Sequence, residues 1–142
     1  MANYEKFELG AMDNLHTYEL KHPAFAKPVH GKVFLGPRLK LTGMECSMNK
    51  LRPGGGVPFL HKHRTHEELY VFFKGRGQFQ VDGEVIEIQE GTALRVDPVA
   101  ARAWRNNSTE DLYYFVVQAR AGTMNDGPIG DGELVKEPLS WP

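Results

Sequence analysis

Two histidines two positions apart, with a glutamate five positions further on and glycines at both ends, constrain this chain more than any other feature. Residues 54–75 read GGGVPFLHKHRTHEELYVFFKG. In an extended strand, alternate side chains share a face at a spacing of about 6–7 Å. His61 and His63 are therefore expected side by side in the same space. The step from His63 to Glu68 is odd, so one unbroken strand would turn Glu68 to the opposite face. Arg64-Thr65-His66-Glu67 reads as a turn, after which Glu68 faces inward from an adjacent strand. ELYVFF is strand-like, with Glu68, Tyr70 and Phe72 on one face and Leu69, Val71 and Phe73 on the other. Apolar residues on both faces predict a strand buried on both sides. Two imidazoles and a carboxylate meeting inside a β structure are the donor set of a divalent-metal site.

The spacing of Gly55, His61, Lys62, His63, Glu68 and Gly75 resembles the first motif of the cupin superfamily. Gly91-TALRV-Asp97-Pro98-VAA-Arg102-AWR-Asn106 stands where that family's second motif belongs. The short gap over residues 76–90 is similar to that of small bacterial single-domain cupins. The second motif departs from the family pattern. Asp97 stands at the family's proline with Pro98 next to it, Val99 replaces a glycine, and Arg102 replaces the last histidine ligand. The resemblance covers residues 44 to 118. It implies an all-β fold, a double-stranded β-helix or jelly-roll barrel, holding one divalent metal ion (Fe, Mn, Ni or Zn) at His61, His63 and Glu68. It also implies a homodimer paired through an exposed sheet and the N-terminal arm.

The remaining residues agree with one small domain. The chain has 142 residues, with 17 basic and 18 acidic side chains. That length suits a single core, and the balanced charge, without a basic block, gives no nucleic-acid surface. The apolar runs are too short to span a membrane. The start MANYEKFELG lacks the pattern of a secretory signal, and one cysteine, Cys46, fits a reducing compartment; a cytoplasmic protein is expected. LTGMECSMNKL alternates like a strand with unlike faces, and either Glu45, Ser47 and Asn49 or Met44, Cys46 and Met48 line the interior. QFQVDGEVIEI reads as a hairpin turning at Asp82-Gly83, Glu90-Gly91 is a second turn, and LYYFVVQA is a long strand apolar on both faces. Short strands between Gly/Asn/Asp turns indicate a sandwich or barrel. The expected layout is an arm over residues 1–30, a barrel over 31–120, and an irregular tail over 121–142 packed on the barrel, with Trp141 as its anchor. His16, His22 and His30 have no partner pattern and read as surface or cap residues; His66 and Glu67 are expected in solvent.

Arg102 decides the mechanism. A guanidinium has no lone pair to give a metal. Either the ion keeps three protein ligands and open positions, the arrangement of non-haem iron oxygenases and of catalytic zinc, or the site has lost metal and binds an anion. Facing the opening, Arg102 would grip a substrate carboxylate or phosphate; facing out, it would pair with a surface acid. Arg102 and Tyr70 are the candidate catalytic residues. Tyr70, Phe72, Phe59 and Trp104 are expected to wall a small-molecule pocket with Arg102.

Three functions from different classes follow. The first is a metal-dependent enzyme acting on a small oxygenated or anionic substrate, by dioxygenase-type or isomerase-type chemistry. The second is a non-catalytic protein binding a sugar or carboxylate. The third, a structural or storage role, has no use for a convergent His-His-Glu set. The resemblance does not choose among them, because one fold hosts many chemistries.

Overall fold

The computed structural model describes residues 2–142. Ten strands run in chain order: β1 Glu19–Leu20, β2 Val29–His30, β3 Lys32–Phe34, β4 Glu45–Leu51, β5 His66–Lys74, β6 Arg76–Val81, β7 Glu84–Gln89, β8 Ala93–Val96, β9 Arg102–Arg105 and β10 Leu112–Arg120. They form a five-stranded sheet in the order β3-β4-β10-β5-β8, a three-stranded sheet β7-β6-β9, and a small β1-β2 pair. Every pairing is antiparallel. The two larger sheets face each other as a jelly roll, the all-β fold expected.

Alternation decides which side chains fill the space between them. Glu68, Tyr70 and Phe72 of β5 lie in register with Gln118, Val116 and Tyr114 of β10, which in turn pair with Glu45, Ser47 and Asn49 of β4. These rows face inward, so the polar face of β4 lines the interior. Tyr70, Phe72, Phe79, Ile88, Val96, Trp104, Leu112, Tyr114 and Val116 form the main core. Asp82 and Gly83 take positive φ at the β6–β7 hairpin, as a two-residue primed turn requires. Gly75 also has positive φ, and a Cβ there would run into the Asp111 carbonyl; the glycine lets β5 turn into β6 beneath the 110–112 loop.

Three sequence expectations change. β5 begins at His66 rather than Glu68, because backbone pairing with β10 continues to Arg120. His66 and Glu67 are thus half-buried strand residues, bonded to Gln118 (2.9 Å) and Arg95 (3.0 Å). β5 is buried on one face only: Leu69 is 41 % and Phe73 36 % exposed on the outside. The tail over residues 121–142 is irregular, but Trp141 is 81 % exposed and Leu134 fully so; within one chain they anchor nothing, because no barrel surface meets them.

The arm earns its place by packing. Leu15, in the 3-10 helix Met12–Thr17, is buried with Val33 and Tyr113, and Leu9, Met12, Tyr18 and Met48 pack around them. The arm therefore covers the outside of β3, β4 and β10. Its second half, with the β1-β2 pair, folds over the mouth of the barrel. A four-residue helix α1, Gly36–Leu39, links β3 to β4, and the Glu45 carboxylate accepts the Gly36 N–H at 2.8 Å.

Candidate metal centre

His61 and His63 sit in an extended segment, and β9 holds that segment in place. The N–H of Arg102 donates to the His61 carbonyl (2.9 Å), and the His61 N–H donates to the Arg102 carbonyl (3.1 Å). The His63 N–H donates to the Pro98 carbonyl at 2.8 Å. Residues opposite each other in such a ladder share a face, so both histidines and Arg102 turn toward the interior. Glu68 reaches the same point from β5 on the facing sheet. One His Nε2 lies 3.5 Å (His61) and the other 3.1 Å (His63) from Glu68 Oε1. The ligand atoms of the three residues all fall within 4.8 Å of one another.

Their environment suits a cation. His63 Nε2 is buried and, though close to the carboxylate, makes no hydrogen bond of good geometry; His61 Nδ1 is likewise buried without a partner among the described residues. An unsatisfied imidazole nitrogen aimed at a carboxylate is costly in an apolar interior, and a shared divalent ion removes that cost. Burial, followed by the nearby Arg102 and His61, holds the His63 pKa below its ordinary value against the pull of Glu68. The ring thus keeps the lone pair a metal needs. Burial pushes the Glu68 carboxyl up, but hydrogen bonds from His61 and Tyr70 and the charges of His63 and Arg102 outweigh it and bring the pKa down to about 2. The carboxylate is ionised throughout the physiological range. Two imidazoles and one oxygen donor fit a divalent transition metal.

A cavity of about 450 Å³ opens on this group. His61, His63 and Glu68 line one end; Trp104, Val116, Tyr114, Leu51 and Val57 supply apolar wall; Phe25 and Phe59 stack at the rim with centroids 5.9 Å apart. Phe59 and Trp104 both line this cavity. Tyr70 and Phe72 do not: both are fully buried in the core behind it. The Tyr70 hydroxyl donates to Glu68 Oε1 at 2.6 Å, so it holds the carboxylate from the rear instead of facing the cavity. Burial and the adjoining Glu68 charge raise its pKa, which keeps it a donor.

Arg102 faces inward but not into the cavity. It is wholly buried, with Nη2 3.1 Å from Glu68 Oε1, and Nη1 donates to the carbonyls of Ala100 (2.6 Å) and Pro98 (3.2 Å). Only Nη1 is hydrogen-bonded among the described residues; Nη2 stands at ion-pair distance from Glu68, and a guanidinium cannot ligate a metal.

Several lining residues escaped the sequence reading. His22 and His30 are exposed yet border the cavity mouth, along with Leu20, Phe25 and Val29 of the arm. Lys32 also lines the cavity, its Nζ donating to Asn49 Oδ1 (2.9 Å) and Ser47 Oγ (3.2 Å). Nothing in KVFLG assigns Lys32 to a face; the arm, by covering Val33 on the outside, leaves Lys32 to the interior.

Comparison with known proteins came down on the same region. A family model described as a cupin domain matches residues 48–118. The crystal structure of a cupin protein from Bacteroides fragilis superposes with a TM-score of 0.77 at 32 % identity, covering 95 % of this chain and 99 % of that one. An uncharacterized protein of Methanocaldococcus jannaschii is 39 % identical over 87 residues, which span 61 % of this chain and 65 % of that relative. The oxalate-binding protein of Thermotoga maritima is 28 % identical over 99 residues, 70 % of this chain and 73 % of its own length.

Proposed function

The chain belongs to the cupin family, and from that premise we propose that it binds one divalent metal ion at His61, His63 and Glu68 and acts on a small carboxylate or other oxygenated anion held in the cavity. The observation that carries this is the meeting of two imidazoles and an ionised carboxylate within 4.8 Å at one end of a largely apolar cavity. A divalent ion there (Fe, Mn, Ni or Zn) supplies Lewis acidity or oxygen activation to a bound ligand oxygen.

The chain's own residues do the rest. Tyr70 and Arg102 grip Glu68 Oε1 from the side away from the cavity, fixing the carboxylate's position and charge. With Arg102 unable to ligate, three protein donors leave coordination positions open to water or ligand. Trp104, Val116 and the Phe25–Phe59 pair shield that opening from bulk water, which strengthens electrostatic contacts inside.

Elemental analysis of purified protein tests the metal: about one ion per chain is expected, and metal-free protein from metal-replete cells overturns the reading. Oxygen uptake and carbon dioxide release on incubation with small oxo- and dicarboxylates then separate oxygenase-type chemistry from isomerase-type chemistry. A second reading, carboxylate binding without turnover, is favoured by the likeness to an oxalate-binding protein; saturable binding with no product identifies it. The partly exposed Leu69 and Phe73 on the outer sheet face support a homodimer, which light scattering checks. Among the described residues no helix is long and apolar enough to cross a membrane; the single, buried, unbridged Cys46 supports a cytoplasmic setting.

A further inference from the structure

Across the cavity from the histidines stands an ammonium group whose direct partners among the described residues are neutral. Lys32 is largely enclosed, and Nζ donates to the neutral oxygens of Ser47 and Asn49 and lies 5.0 Å from the Phe34 ring centre. Among the described residues no carboxylate comes within ion-pair distance of it. Glu45, the nearest acid on the adjoining strand, spends its Oε1 on the backbone N–H groups of Gly36 and Cys46. A buried charge is normally paired, and an ammonium carries a third donor that these partners leave free.

The sheet sets the separation. Ser47 pairs with Val116, and Val116 with Tyr70, one alternate position from Glu68. The β4 and β5 backbones are therefore two strand spacings, about 10 Å, apart, with the Lys32 cradle and Glu68 on opposite sides of β10. Val116 lies between them. Charge points the same way: Glu45 and Glu68 offset Lys32 and Arg102, so a divalent ion leaves two positive charges for a ligand to answer.

We propose that Lys32, held by Ser47 and Asn49, anchors the far carboxylate of a two-headed ligand whose near oxygen atoms meet the His61, His63 and Glu68 centre, with a short apolar linker lying along Val116. The ligand class is thus a linear dicarboxylate or oxo-dicarboxylate longer than oxalate, whose adjoining carboxyl groups cannot touch both ends. The near end rests on the metal reading above; the far end rests on Lys32 alone.

Calorimetry on the Mn²⁺-loaded full chain tests it, with succinate, glutarate and adipate set against monocarboxylates of equal chain length. One of the dicarboxylates is expected to bind at least tenfold more tightly than its monocarboxylate counterpart. Lys32→Met, which keeps the side chain's bulk, is expected to weaken that dicarboxylate roughly 10- to 100-fold, the range of a charge-assisted hydrogen bond, without changing bound Mn²⁺ or monocarboxylate affinity. Asn49→Asp, which places a carboxylate on the ammonium, is expected to do the same and serves if Lys32→Met does not fold. Dicarboxylate affinity unchanged in a folded variant that retains Mn²⁺ overturns the anchor. Wild-type protein that takes up no Mn²⁺ overturns the metal reading instead; the metal-free chain then reports on Lys32, because the anchor requires that Lys32→Met still weaken the dicarboxylate.

Discussion

Arg102 Nη2 and Glu68 Oε1 lie 3.1 Å apart, both groups buried, on the side of Glu68 that faces away from the cavity. The same oxygen accepts the Tyr70 hydroxyl and is approached by both histidines. A guanidinium at the place of a fourth donor therefore does not simply remove a ligand. It keeps the carboxylate charged and in place, so on the proposed metal reading the three donors would be preorganised.

Removing Arg102 strands that carboxylate. Arg102→Met is expected to cost the metal-free protein about 3–5 kcal/mol in urea unfolding, the usual penalty for breaking a buried pair. A saturating divalent ion should recover part of the loss by taking over the charge. A loss under about 1 kcal/mol would mean that the pair does little for the fold.

The double change His61→Ala and His63→Ala is expected to abolish metal uptake while leaving the barrel folded, since both rings stand at the cavity and outside the main core. Wild-type protein at a free ion concentration a hundredfold above Kd should gain about 2.7 kcal/mol, and the double variant nothing. Chelator-treated and metal-loaded thermal melts read this directly.

Lys32 supplies two opposed pH signatures. Burial, only partly offset by Glu68 and Glu45, lowers its pKa from 10.5 to about 8. The folded chain thus holds fewer protons than the unfolded chain between about 8 and 10.5, so stability should rise with pH across that window. Dicarboxylate affinity should fall as pH rises through about 8, because the ammonium discharges. His22, His30, His61 and His63 also border the cavity. Lys32→Met should flatten both curves; a profile unchanged by that substitution assigns the effect elsewhere.

In the core, the Trp104 Nε1–H donates to the Tyr114 hydroxyl at 2.8 Å. Tyr114→Phe would leave a buried indole N–H without an acceptor, at an expected cost of about 1–3 kcal/mol in urea unfolding. Metal content should not move, since Tyr114 is on β10 and touches none of the three ligands. A neutral result would mean that a water replaces the hydroxyl.

The barrel and the three candidate ligands were legible because they rest on local rules: period-two alternation, Asp82-Gly83 at a hairpin, and fixed spacing between His61, His63 and Glu68. Facing could not be read wherever a distant segment covers a strand. Lys32 could not be assigned a face because nothing in KVFLG announces that Leu15 and Tyr18 lie over Val33. Tyr70 shares Glu68's parity, as expected, but parity does not distinguish lining a cavity from standing behind it. Leu69 and Phe73 suggested burial on both sides of β5, whereas the arm stops over β3, β4 and β10 and leaves them partly open.

Phe25 belongs to the arm and Phe59 to the histidine-bearing segment, and their stacked rings are where these two lengths of chain meet above the cavity. The pair forms part of the cavity's rim, with Phe59 46 % exposed to solvent. Phe25→Ala would therefore loosen the rim while Leu15 still pins the arm over β3, β4 and β10, turning a chamber into an open dish without unseating the barrel beneath it.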